Sequence, residues 1–450
     1  DRDYATSVKV TSKDPLVVRV ELNRKACWQG GTPITSGDMV SYAAAMKSDD
    51  FAASAAPAFD QIKSVVADGK FAYDVRFAEP TADWPSAIYP LLPAAATKDP
   101  AVFNKAFTAK APPANGPFKV ASIERKTGTI KLERNPRWWG ERAKLDEITW
   151  RIGEAAVLAR AYRARAGEAI PVTAENRLDF VETSHLRASA GSQWSHLTIN
   201  GGSGPLADAN VRRAVMLAID TNEIVKQTSK QYAARTEAME SVVVLPTQRG
   251  FTEGVGIKRD LKKAKKLLAE AGWQVEQGST IVQKKGKLLT LRMPGTKGNQ
   301  GAANRAKKIV EEIAEIGVEV NTETVDATNF FNQIVIPLDF DLVSFTWETA
   351  AYSIGSTKLL FTPIDSPLNF TGKASDAIGK AFDDAIGTLP EDQLTKQIRN
   401  VDGVAQSQAS IMPLAVIPNV QAVRSRVVNY GPTALADLDW TIVGFAKKQD

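Results

Sequence analysis

The chain is nearly without cysteine and histidine. Of 450 residues, one is cysteine (Cys27) and two are histidine (His185 and His196). A single thiol leaves no partner for an internal disulfide and no cysteine-based metal cluster. No HExxH or CxxC spacing occurs, so no metal site is expected. The same scarcity starves nucleophilic catalysis, because no segment resembles a nucleophile elbow and a serine or cysteine triad has little histidine to draw on. We expect no catalytic residue, no cofactor and no enzyme, with both histidines structural or on the surface. Long apolar runs are also missing. No stretch approaches the roughly 20 apolar residues of a membrane helix, so the chain is expected to be soluble. It opens on Asp1-Arg2-Asp3 without the apolar core of a signal peptide, which suits a cytoplasmic protein or one whose leader has been removed.

What is present is ordinary in amount and informative in order. An apolar share of 44% and a charged share of 24% fit a globular protein, and the length exceeds what one hydrophobic core usually supports. Two or more lobes with room for a cleft are therefore expected. The net charge of +5 is spread along the chain, which indicates a solvated surface and no nucleic-acid partner. The densest basic run, Lys258 to Lys266, falls on an amphipathic helix whose apolar positions Leu261, Ala264, Leu267, Leu268 and Ala271 recur at helical spacing.

From Ser7 to Leu22 the sequence alternates around Asp14-Pro15, predicting two strands, and Phe71, Tyr73, Val75 and Phe77 predict another. A turn-rich passage, Trp28 to Asp38, leads to a helix over Met39–Met46. Gly116 to Ile148 is the most specific stretch: two alternating runs flank Thr127-Gly128-Thr129, as a hairpin with one buried face requires. Asn135-Pro136 ends its second strand, and Trp138-Trp139 follow as core residues. Asp208 and Asp260 are placed to cap helices. Gly272 is placed as the left-handed residue after the second of these helices. Leu288–Met293, a helix over Ala303–Ile316 and Val318–Val320 form a strand-helix-strand unit with parallel strands. Gly295 to Gly301 lies at its turn, where backbone amides can cradle an anion or merely form a flexible rim. Phe340 to Trp347 reads as a buried strand and Met412 to Val420 as a returning one.

Trp28 to Asp38, Gly116 to Ile148, Leu206 to Asp220, Asp260 to Trp273, Phe340 to Trp347 and Met412 to Asn419, in this order, resemble the large solute-binding proteins of peptide-importing ABC transporters. Ser353 to Lys358 resembles the actinobacterial branch. The resemblance implies an α/β, two-lobed periplasmic-binding-protein-like fold of the large class, with an extra subdomain, two hinge strands and a ligand cleft between the lobes. Residues 1–115 would be the peripheral subdomain of lobe I, 116–199 with 419–450 its core, and 200–418 lobe II, with crossings near Asn200 and Asn419.

Two departures stand out. The family usually carries several dozen residues before the Trp28 region, and the segment Gly167 to Ser192 looks compressed. Where peptide binders of this family place an aspartate three residues after the tryptophan, to meet the ligand's ammonium, this chain has Ala350. Glu348 is the nearest acidic substitute.

Trp347 is the leading ligand candidate, since it ends a strand at a loop, where α/β sheets bind ligands. Thr346, Glu348 and Tyr352 flank it, and Asn200 and Asn419 sit at the expected crossings. For Trp194 cleft and core are evenly matched. The implied function is an extracytoplasmic receptor for a short peptide or similar solute. It would act as a monomer, work with permease and ATPase subunits, and be held to the outer face of the cytoplasmic membrane by a lipid anchor on a preceding segment. The alternative is a regulator of cell-envelope biosynthesis that acts through protein contacts.

Overall fold

The computed structural model describes residues 3–53, 56–108, 110–177, 185–202 and 204–447. The side chain of His185 and part of the segment expected to be compressed, 178–184, lie outside the described residues.

The first strands are β1 (Ala5–Lys13), β2 (Leu16–Leu22), β3 (Ile62–Ala67) and β4 (Ala72–Phe77), ordered β1-β2-β4-β3 and antiparallel throughout. Leu16, Val18, Val20 and Leu22 alternate with more exposed residues, as do Tyr73, Val75 and Phe77, and both sets are buried in one cluster with Met39 and Tyr42. A period of two puts every second side chain on the covered face. Met39 and Tyr42 belong to the helix Ser36–Met46, which starts three residues before the expected Met39. The Thr35 amide donates to Asp38 Oδ2 at 2.8 Å, closing a capping box that explains the Thr-Pro-Ile-Thr turn.

The expected hairpin is β5 (Phe118–Glu124) and β6 (Thr129–Arg134), and β7 (Glu147–Arg151) joins it. Its expected buried face is absent: no residue of the three strands is fully buried, and Trp150 remains 45% exposed. Trp138 and Trp139 pack against each other (4.5 Å between ring centroids) and under Tyr4, and the Trp139 indole donates to the Asp3 carbonyl. They tie the chain's beginning to this region.

The next strands, β8 (Ala169–Pro171) and β9 (His185–Ile199), enter an antiparallel sheet further along. A small sheet, β10 (Gln274–Val275), β11 (Val282–Lys284) and β12 (Lys287–Leu288), precedes the parallel pair β13 (Thr290–Thr296) and β14 (Glu319–Val325). The helix Gln300–Ala314 connects that pair, as the strand-helix-strand pattern requires. The run expected as one buried strand from Phe340 to Trp347 splits into β15 (Leu342–Val343) and β16 (Thr346–Glu348). The break falls where Ser344 turns its hydroxyl to the His196 carbonyl, 2.6 Å away.

The return strand β17 (Ile411–Val423) pairs antiparallel with β9 over nearly its whole length, and the sheet order is β15-β9-β17-β8. Along this two-stranded spine the neighbours change. From Leu186 to Ser189 and from Asn419 to Val423 the flank is β8 and the helix Ala155–Arg163, with Tyr162, Ile170, Val420 and Ala422 in one cluster. From Gln193 to Ile199 and from Ile411 to Ile417 the flanks are β15 and β16. Leu197 and Ile199 there enter the core formed by the helices Ala209–Ala218, Leu261–Glu270 and Gln300–Ala314. Asp208 and Asp260 cap the first two of these helices through their side chains, and Gly272 has φ +84.

Candidate functional site

β16 is an edge strand. Its residues pair on one side with β9, Thr346 with Ser195, Trp347 with Trp194 and Glu348 with Gln193, and no strand among the described residues pairs with its other side. Strand alternation sends Thr346 and Glu348 outward, both exposed, and Trp347 the other way.

Trp347 enters a set of aromatic rings. It stacks on Phe370 at 5.8 Å with planes 8° apart and on His196 at 5.7 Å, and meets Phe345 edge-on at 5.1 Å. Phe331, 43% exposed, carries the set to the surface through an edge contact with Phe345. Beneath the rings His196 is fully buried. Its Nδ1 lies 3.0 Å from Thr198 Oγ1 and its Nε2 has no partner. Burial, and secondarily the charge of Arg305, hold its pKa well below the ordinary histidine value, so the ring is neutral. The Trp347 indole nitrogen is likewise buried without a partner.

Two expected ligand residues occupy other roles. Trp194 is 1% exposed and its indole donates to Thr349 Oγ1 at 2.9 Å, so it is core and offers no surface. Asn200 spends its amide on the carbonyls of Leu338 and Phe340, each at 3.0 Å, and its oxygen accepts from Gly202, so it is a joint in the chain. Glu348 accepts from Ser192 Oγ at 3.0 Å, Tyr352 is 49% exposed beyond β16, and Asn419 is exposed on β17 opposite Ser189.

Residues from the two ends of the spine also touch each other. Glu175 Oε1 accepts from the Gln300 amide at 3.0 Å, and an Arg177 nitrogen donates to the Lys230 carbonyl. Asp83 accepts from the Gly355 amide at 2.7 Å and the Ile354 amide at 3.3 Å, holding the start of the helix Ile354–Lys358. In the glycine-rich turn, read as either an anion cradle or a flexible rim, protein takes two of the amides: Asn299 accepts from Ala302, capping the helix, and Glu175 accepts from Gln300.

The sequence reading missed Arg305. It is 6% exposed, its Nε donates to Ser344 Oγ at 2.8 Å, and burial pulls its pKa down to about 10. One signal was available, since Arg305 stands at four-residue spacing with Gly301, Ile309 and Ile313, on the helix face that is buried together with Glu312. Phe331, Phe345 and Phe370 were also missed, because their meeting depends on three separate segments. A cavity of about 660 Å³ lies elsewhere, lined by Trp150, Tyr162, Tyr430, Trp440 and Phe445.

Residues 2–357 match the bacterial extracellular solute-binding proteins, family 5 (middle region). The chain belongs to this family. It is 30% identical to the oligopeptide-binding protein OppA of Mycobacterium tuberculosis, over all of this chain and 77% of that protein. Among solved structures, the periplasmic EDTA-binding protein EppA superposes with a TM-score of 0.87 at 23% identity, covering 99% of this chain and 88% of that one. The oligopeptide-binding protein AppA of Bacillus subtilis, solved with a nonapeptide, gives 0.80 at 21% identity, covering 99% and 90%. The fold is thus the two-lobed, periplasmic-binding-protein-like α/β fold, and the relatives are solute-binding proteins, not enzymes. No described helix is long and apolar enough to cross a membrane.

Proposed function

We propose that this chain captures a short peptide or peptide-like solute between its lobes by hinge closure and delivers it to an ABC importer. The observation that carries the reading is the open edge of β16 beside the ring set around Trp347. An extended peptide adds to such an edge through its own backbone, which binds tightly while tolerating varied side chains. The rings supply the apolar surface. Glu348, exposed on the same strand, takes the ligand's ammonium in place of the aspartate that Ala350 replaces. Thr346 and Tyr352 border the ligand, and Asn419 lies at the crossing.

In this reading the first crossing moves from the expected Asn200 to Gly191: the lobes are residues 1–190 with 419–450, of which 1–115 form the peripheral subdomain, and residues 192–417, joined at Gly191 and Pro418. The neighbours of both spine strands change there. Closure is driven by ligand contacts available only when both lobes meet. The contacts of Glu175, Arg177 and Asp83 belong to the closed form. The protein works outside the cytoplasmic membrane as a monomer, held by a lipid anchor on a preceding segment. The envelope-regulator reading is not favoured, since the relatives named above are binders of peptides or of a chelate.

Native and then denaturing mass spectrometry of the purified protein tests the reading. A peptide released on denaturation, and at least tenfold weaker recapture by Trp347→Ala, are expected. Retention of no solute, together with no thermal shift across peptide libraries, would sink it.

A further inference from the structure

We propose that Arg305 is the receptor for a carboxylate of the captured solute, completed on closure by Thr173 from the opposite side of the cleft. This rests on the receptor reading above and names the group that the site selects.

A buried arginine ordinarily has a carboxylate beside it, because an unpaired charge in a low-dielectric site is costly. Arg305 has none within salt-bridge reach among the described residues. Its one hydrogen bond runs from Nε to Ser344, so both terminal nitrogens of the guanidinium fork are unspent. Such a fork is built to meet two carboxylate oxygens at once.

Its surroundings are arranged for a polar guest. Gly301 lies one turn earlier on the same helix face, and a Cβ there would stand 3.6 Å from Ala174 Cβ and 3.8 Å from Gln231 Oε1. Ala174 follows Thr173 in the turn held by Asn176, whose Oδ1 accepts from the Thr173 amide at 2.7 Å. Thr173 Oγ1 and Gln231 Nε2 are both buried with no hydrogen-bond partner. Native proteins rarely leave such groups unpaired, and each one points to a missing partner. Here the two belong to segments that pack on Gly301, one helical turn before the unpaired arginine fork, at a seam that the Glu175 to Gln300 hydrogen bond draws shut. A carboxylate satisfies all three, since it accepts from guanidinium, hydroxyl and amide alike. Because Thr173 reaches the seam only from the far side of the spine, the interaction is stronger in the closed form, as closure on a ligand requires.

The test compares two probes on the same protein. A digest of casein into short peptides is offered alongside the same digest after carbodiimide amidation, which removes its carboxylates, and retained peptides are read by native mass spectrometry. The wild type is expected to hold the free-acid digest at least tenfold better than the amidated one. Arg305→Gln is expected to lose that preference. Thr173→Val, which leaves Arg305 and the helix untouched, guards against misfolding of the first variant and is expected to narrow the preference severalfold. Equal capture of both digests by the wild type overturns the carboxylate assignment and leaves the receptor reading standing. Capture of neither overturns both.

Discussion

Gly191 lies against the carbonyl of Ile417 so closely that a Cβ on it would fall 1.9 Å from that oxygen. The contact sits where the register of β9 and β17 shifts between Ile417 and Asn419. No other residue type fits without parting the two strands, because the obstacle is backbone and cannot rotate away. Gly191→Ala is therefore expected to lower stability by about 1–3 kcal/mol, the usual cost of forcing extra volume into a packed site. Urea unfolding measures it. Gly30→Ala, with nothing within 4 Å of its new Cβ, is expected to stay within about 0.5 kcal/mol of wild type. Equal effects for the two variants would refute the steric argument.

Asp83 fixes the start of the helix Ile354–Lys358 from the opposite side of the cleft, against the amides of Gly355 and Ile354. Asp83→Ala leaves both amides unpaired in a buried place, which costs about 1–3 kcal/mol. Part of this cost is expected to appear as opening. Small-angle scattering of the variant without ligand should give a larger radius of gyration than wild type, and an unchanged radius would mean that the contact does not hold the halves together.

Two buried groups predict opposite responses to pH. His196 titrates well below 6.5 in the folded protein, so below that pH only the unfolded chain gains the proton, and stability falls as the solution is acidified, by up to about 1.4 kcal/mol per pH unit. Asp402 is pushed up to about 7 by burial, although Ser241 and the Val242 amide donate to it. Between about pH 4 and 7 the folded chain holds this proton and the unfolded chain does not, so its contribution is present in acid and lost as pH rises through 7. His196→Phe is expected to unfold less readily than wild type in acid relative to neutral pH. Asp402→Asn, which keeps the accepting oxygen, is expected to gain on wild type from pH 4 to pH 8. Denaturant titrations across that range decide both, and parallel pH profiles for wild type and variants would contradict them.

Much of this was legible beforehand. Alternation located β2 and β4, aspartates at 208 and 260 marked helix starts, and the glycine-rich turn separated a strand from its following helix. Those signals are local, carried by residues a few positions apart. The rest depends on distant pairs. Gly191 looks like any glycine until the Ile417 carbonyl arrives from the far end of the chain, and Asn200, which reads as a crossing, is a joint because Leu338 and Phe340 bring it their carbonyls. The hairpin pattern of β5 and β6 promised a buried face, but alternation records only which side is apolar and says nothing of whether anything covers it. Arg305 was passed over for a similar reason. A charge in a helix stripe is usually at the surface, and its burial is decided by the segments packed around it.

The uncovered edge of β16 has a second consequence. A row of unspent amides and carbonyls beside exposed phenylalanine is as welcoming to a neighbouring copy of the same chain as to a peptide. An empty molecule held open would carry this hazard into a crowded compartment. The strand limits it by spanning only Thr346–Glu348 and by ending on a charge. In the receptor reading, a guest strand seated on this edge would also keep the occupied protein from joining its own kind.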